Sequence, residues 1–305
     1  MQRDRGGKIM PDSCIKRRLL FACDQAYRPE APDGGRKVGW TEGPAIFTAV
    51  SPHGPGNIDC ALVGRIAEGI VIAFRGTLPP FTSDSHGSLE VVLDWLNNVE
   101  LISRENSLYP GRVHKGFAHS VDQLWPKIEA AVAGLVRPGG PNRLFITGHS
   151  KGGALANLAA WRALSLPGIE TPIRVVTVAA ARAGNEDFRT VMRTHGGIDC
   201  TRYESALDAV PLVPFGADTP GWAKGLARIA WPDLRDNNYV PVGDRVPART
   251  GVGEAWQAVR RYAGWPGFGG TRSGYMPLLA SAHSIARGSG YDALICDGEG
   301  GCRHV

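Results

Sequence analysis

The sequence predicts an α/β fold, with a mostly parallel central sheet covered by helices on both faces. Three observations carry this. Apolar runs alternate with helix-forming stretches of ordinary length between residues 143 and 205, the pattern of strands joined by crossover helices. The run Ile173–Ala179 is continuously apolar enough for a strand buried on both faces. And Gly148-His149-Ser150-Lys151-Gly152 joins a short apolar strand directly to a helix of small residues.

Taken in order, residues 1–13 read as a loose start and Ile15–Tyr27 as a first helix. Ala61–Ile66 and Ile70–Phe74 are apolar, β-branched runs around the turn Ala67-Glu68-Gly69, which predicts a hairpin. Val121, Leu124, Trp125, Ile128, Val132 and Leu135 fall on one face of a helix from Val121 to Val136, which Arg137-Pro138-Gly139-Gly140 stops. A strand at 143–147, the glycine-flanked turn and a helix over Ala154–Leu164 follow. After the strand Ile173–Ala179, Asn185 caps a helix whose first turn carries Glu186 and Asp187, favourable against the helix dipole. A further strand spans Cys200–Ser205. From Phe215 to Leu279 the periodicity fades. That stretch is rich in Gly and Pro, holds Trp222, Trp231, Trp256 and Trp265, and reads as an inserted, partly helical cap on a single domain spanning 1–305.

Composition narrows the function. With 43% hydrophobic and 21% charged residues the chain is an ordinary globular protein, and 305 residues bury one large core. The net charge of +5 is scattered, apart from Lys16-Arg17-Arg18 and Arg260-Arg261, as expected of solvated helix faces and not of a nucleic-acid binder. No apolar run approaches the roughly 20 residues that span a bilayer, so no transmembrane segment is expected. The charged start lacks an apolar stretch behind it, which leaves a cytoplasmic protein, one exported without a signal peptide, or a mature form as the expectations. Of six cysteines, Cys60 and Cys200 read as small core residues. Cys296 and Cys302 with His304 make a poor zinc set, and neither metal nor cofactor is expected.

The glycine-flanked Ser150 is where the chemistry concentrates. With 40 Gly in 305 residues the pattern alone is common, but strand before and helix after are what a nucleophile elbow requires. A serine hydroxyl is a weak nucleophile that needs a base, normally His, oriented by a carboxylate. On an α/β-hydrolase sheet these follow the serine in the order acid, then His. Only His195, His283 and His304 lie downstream of Ser150. His304 is penultimate and His195 precedes the best acid, which leaves His283 as base. Asp208 falls just past the strand Cys200–Ser205, beside Pro211 and Pro214, and is the expected acid, with Asp199, Glu204 and Asp218 as fallbacks. Acyl transfer also needs donors for the developing oxyanion. The backbone N–H of Lys151 is one and that of Thr77, closing Ile70–Thr77, the other; the Lys151 side chain has only to point to solvent.

Phe74-Arg75-Gly76-Thr77, Val113-His114-Lys115-Gly116-Phe117, Gly148–Gly153, Thr177–Asn185 with Phe188, and Asp208–Pro214 occur in the order seen in class 3 (fungal-type) lipases. The chain resembles that family over residues 60 to 290. The resemblance implies an α/β-hydrolase fold, Ser150, Asp208 and His283 as triad, and Thr77 as an oxyanion donor. It also implies a lid, which falls on Leu78–Asn98, where Leu89, Val92, Leu93 and Leu96 could line one helical face; the other reading of that face is an ordinary amphipathic helix packed on the core. Three departures stand out: Lys151 where many relatives carry Leu, Ala-Ala-Ala at 179–181 where Gly-Ser-Pro is frequent, and a long segment after Phe215.

The expectation is therefore a serine carboxyl-ester hydrolase acting on lipid or other apolar acyl esters through an acyl-enzyme, with transient contact to a lipid surface. A phospholipase, including one exported as a toxin, is the alternative enzyme. A non-catalytic α/β-hydrolase-fold protein that binds lipid or a partner is the alternative of another class.

Overall fold

A computed structural model describes residues 12–30, 38–50, 58–77, 103–105, 108–205, 208, 210–219, 221, 224, 238–247, 283–285, 291 and 295. Helix α1 (Asp12–Tyr27) comes first, three residues longer at its start than the apolar pattern predicts. Strands β1 (Trp40–Val50), β2 (Ile58–Ile66) and β3 (Gly69–Phe74) form an antiparallel meander, and β2–β3 is the expected hairpin. Two short strands, β4 (Ser103–Glu105) and β5 (Arg112–His114), lead into α2 (Lys115–Leu135). Then come β6 (Arg143–His149), α3 (Lys151–Ala163), β7 (Glu170–Val178), β8 (Gly184–Asn185), α4 (Glu186–Thr194) and β9 (Ile198–Glu204). Strands β10 (Tyr239–Val240) and β11 (Asp244–Pro247) close the described topology.

The main sheet runs β1-β2-β3-β6-β7-β9-β11, and every pairing from β3 to β11 is parallel. Its two faces are sorted by the period of two. Ile70, Ile72 and Phe74 of β3 share a core with Val121, Leu124 and Ile128 of α2 and with Leu155 and Leu158 of α3. Val71 and Ala73 turn to the opposite face, against Leu19, Ala22 and Ala26 of α1. Both faces being covered, β3 and β6 are buried almost throughout, as the unbroken apolar runs require. A second, antiparallel sheet, β10-β8-β5-β4, packs two- and three-residue strands beside this frame.

Two expectations need correcting. Helix α2 starts at Lys115, not Val121, because the His114 imidazole caps it: Nδ1 accepts the Phe117 N–H at 3.3 Å. That places Phe117 and Ala118 in the core ahead of Val121. The segment 215–279, read as a cap, contains β10 and also β11, which is the parallel edge strand of the main sheet next to β9. Most of that segment, like the expected lid at 78–98 and the Cys296, Cys302 and His304 set, lies outside the described residues. Among the described residues no helix is long and apolar enough to cross a membrane.

Candidate active site

Strand β6 delivers Ser150 to the carboxyl edge of the sheet, in a backbone conformation (φ 60°, ψ −127°) that non-glycine residues rarely adopt. The flanking glycines are there for space. A Cβ on Gly148 would lie 2.1 Å from the Gly152 carbonyl oxygen, and one on Gly152 would lie 2.3 Å from that of Phe74. Strand, turn and helix therefore close on one another only without those side chains. The elbow is tied down by Ser150 N–H to Val178 O at 3.0 Å, and by Gly153 and Ala181 N–H groups on the Ser150 carbonyl.

Asp208 stands in the loop after β9, 3% exposed, and its carboxylate is filled from three directions. Oδ1 accepts the Val210 N–H at 2.9 Å. Oδ2 accepts the Tyr291 hydroxyl at 2.9 Å and meets His283 Nδ1 at 2.9 Å. A carboxylate only accepts, so His283 carries its proton on Nδ1 and leaves Nε2 as a free acceptor. That Nε2 and the Ser150 hydroxyl are both buried and have no hydrogen-bond partner among the described residues. Tyr291 was not foreseen: Ser-Gly-Tyr at 289–291 carries no motif. Its hydroxyl also accepts the Ser205 N–H at 2.8 Å, while its own N–H reaches Ser284 O at 2.8 Å. Burial, with the Asp208 charge beside it, pushes its pKa well above the usual tyrosine value, so it remains a donor.

Two of the three fallback carboxylates are occupied elsewhere. Glu204 pairs with Arg202 and Arg245, and Asp218 pairs with Arg182. Asp199 is an exposed residue of β9. His195 ends α4 and stands edge-on to Trp161.

Thr77 follows β3, and its hydroxyl is buried without a partner among the described residues. Its neighbour Gly76 abuts the elbow: a Cβ there would lie 3.1 Å from Ser150 Cβ. Lys151 begins α3, so its N–H belongs to the helix terminus where an anion is favoured. Its side chain does not point to solvent, as expected, but is buried and ion-paired with Asp59 of β2. An ammonium taken out of water needs such a partner.

His149 lies next to Ser150 in sequence, yet both its nitrogens are engaged: Nδ1 with the Tyr27 hydroxyl at 2.7 Å and Nε2 with the His283 carbonyl at 2.8 Å. Burial, then the proximity of His283, hold its pKa well below the ordinary value, so it is neutral. Of these two neighbouring imidazoles it is His283 that keeps a nitrogen without a partner among the described residues.

This sheet order and elbow are those of the α/β-hydrolase fold. Among solved structures the chain is similar to the Rhizomucor miehei triacylglyceride lipase (TM-score 0.53, 20% identity, 77% of this chain and 78% of that one). It is also similar to lipase II from Rhizopus niveus (TM-score 0.51, 21% identity, 67% and 76%). The family model "Lipase (class 3)" matches residues 71–217, from β3 past Asp208. Over that stretch, a little under half of its length, the chain is similar to class 3 lipases. A curated relative, a secreted mono- and diacylglycerol lipase of Fusarium solani, is 26% identical over 176 residues. That alignment takes in 53% of this chain and 52% of the relative, so the chain spans about half the length of the curated protein it matches.

Proposed function

We propose that the chain is a serine carboxyl-ester hydrolase acting on lipid or other apolar acyl esters, with Ser150, His283 and Asp208 as its triad. The observation that carries this is the 2.9 Å contact from His283 Nδ1 to buried Asp208, with His283 Nε2 and the Ser150 hydroxyl both left without a partner among the described residues. In the proposed reaction Ser150 Oγ attacks the ester carbonyl carbon as His283 Nε2 takes its proton. The Lys151 and Thr77 backbone amides receive the oxyanion, an effect worth about 3–4 kcal/mol per donor. Collapse expels the alcohol, protonated by His283, and leaves an acyl group on Ser150. Water, deprotonated by the same imidazole, then releases the acid. Asp208 holds the tautomer and stabilises the imidazolium throughout.

The name of the Fusarium relative puts mono- and diacylglycerols first among substrates to try. The test sets these beside triacylglycerol, phospholipid and a short p-nitrophenyl ester, together with a fluorophosphonate probe. Probe attachment to Ser150, turnover of glycerides and loss of both in Ser150→Ala are expected. A leading rate on phospholipid would reassign the substrate. An unmodified Ser150 in folded protein would leave a lipid- or partner-binding role in place of catalysis.

A further inference from the structure

The most constrained group beside the triad is one the mechanism above does not use. His149 is the last residue of β6, Tyr27 the last of α1, and Gly76 belongs to the loop after β3. The three meet behind the elbow. A carbonyl oxygen only accepts, so the 2.8 Å contact between His149 Nε2 and His283 O places a proton on Nε2. Nδ1 is then an acceptor, and the Tyr27 hydroxyl 2.7 Å away donates to it. The Gly76 backbone amide in turn hydrogen-bonds that hydroxyl. Space is as tight as the bonding: a Cβ on Gly76 would lie 2.1 Å from the Tyr27 oxygen and 2.8 Å from His149 O. The imidazoles of His149 and His283 lie 4.5 Å apart, tilted by 36°.

We propose that Tyr27 and His149 act as positioning residues, a fixed hydrogen-bonded strut from Gly76 in the oxyanion loop to the backbone carbonyl of His283. The proposal rests on the hydrolase reading. Its logic is geometric. Ser150 Oγ and His283 Nε2 share no hydrogen bond in the resting protein, so their own attraction does not set their separation. What sets it is where the backbones of residues 150 and 283 are held. Asp208 fixes the imidazole at Nδ1, and the strut fixes the main chain of the same residue. Both its ends bear on groups that must converge on one carbonyl carbon, the base and the oxyanion loop. A neutral His149 suits this duty, because a second cation beside His283 would oppose the imidazolium that forms in the reaction. Residue 27 lies outside the stretch 71–217 that matches the family, so α1 contributes to the site as well as to the core.

The test combines Tyr27→Phe, His149→Phe and His149→Gln with three readouts: fluorophosphonate labelling rate, kcat and KM on a short soluble ester, and the imidazole ¹⁵N shifts of His149. Misplacing reacting groups by about 1 Å costs up to about 100-fold. Labelling and kcat are therefore expected to fall about 10- to 100-fold in Tyr27→Phe and His149→Phe, with KM changed less than about three-fold. His149→Gln, whose amide can both donate to the carbonyl and accept from the tyrosine, should recover much of the loss. The wild-type spectrum should show the Nε2–H tautomer. Folded Tyr27→Phe and His149→Phe proteins that label at the wild-type rate would overturn the strut, as would an Nδ1–H tautomer in the wild type. Should Tyr27→Phe not fold, the contrast between the two His149 variants decides. Failure of the hydrolase reading looks different: wild-type Ser150 would not label at all.

Discussion

Asp208 earns its place through the imidazole it orients. Asp208→Asn would turn an amide toward His283 Nδ1 and favour the tautomer whose proton sits on Nε2, facing Ser150. Turnover should fall by about 10⁴-fold with the fold intact, measured as kcat on a soluble ester beside circular dichroism. Near-native turnover would move the acid role to Glu204 or Asp218. His149 gives a second prediction, on stability. Its folded pKa is depressed by burial and by His283 from the ordinary 6.5, so the unfolded chain binds the proton that the folded one refuses. Stability thus rises with pH between the depressed value and 6.5, and falls on acidification by up to about 1.4 kcal/mol per pH unit from this group. Urea midpoints from pH 7 to pH 5 should drop less steeply in His149→Gln than in the wild type. At this scale the proposed triad could be picked out as candidates, because chain order left few histidines and one well-placed aspartate. Tyr291, Tyr27 and the buried Lys151–Asp59 pair could not. Each matters through a partner 83 or more positions away (Tyr291 by way of Asp208 at 83, Tyr27 by way of His149 at 122, Lys151 by way of Asp59 at 92), and no local pattern encodes such a pairing.

At the scale of elements, the strand–turn–helix around Ser150 depends on two absent side chains. Gly152→Ala forces a methyl within 2.3 Å of the Phe74 carbonyl, backbone that cannot swing aside. A loss of about 3 kcal/mol or more, or insoluble protein, is expected. Gly134→Ala in α2 meets nothing within 4 Å and should stabilise by about 0.5–1 kcal/mol, read from thermal or urea unfolding. On β3, Ile72→Ala should cost about 2–5 kcal/mol, since that side chain is fully buried between sheet and helices. Long apolar elements were readable because burial on both faces writes itself into composition: β3 and β6 are such runs, whereas β7 exposes Glu170–Pro172 and half-buries Arg174 and Val176. Strands β4, β5, β8 and β10 span two or three residues each, too few to show a period, and α2 hid its start behind an imidazole cap.

Across the whole molecule, Arg182 joins parts that the chain separates widely. Its buried guanidinium donates to the carbonyls of Pro211 at 3.1 Å and Tyr239 at 2.9 Å, and pairs with Asp218 at 2.9 Å. It thereby ties the small sheet to the loop that follows Asp208. Arg182→Met strips two buried carbonyls of their donor, and a loss of about 2–4 kcal/mol is expected together with a lower kcat, as the Asp208 loop loosens. A full kcat in a destabilised variant would show that the loop is held from elsewhere. The parallel order of the main sheet followed from the alternation of strand and helix, whereas β11 at its edge did not, lying inside a stretch without periodicity.

The elbow serine is 1% exposed, so its oxygen waits in a dry setting. An incoming ester exchanges bulk solvent for a low-dielectric surround just before charge appears on its carbonyl oxygen, which makes each fixed dipole there count for more than it would in water. In the proposed reaction the same burial limits water around the acyl group on Ser150, so an added alcohol is expected to compete with water for the acyl carbon, and acyl exchange between alcohols should accompany hydrolysis.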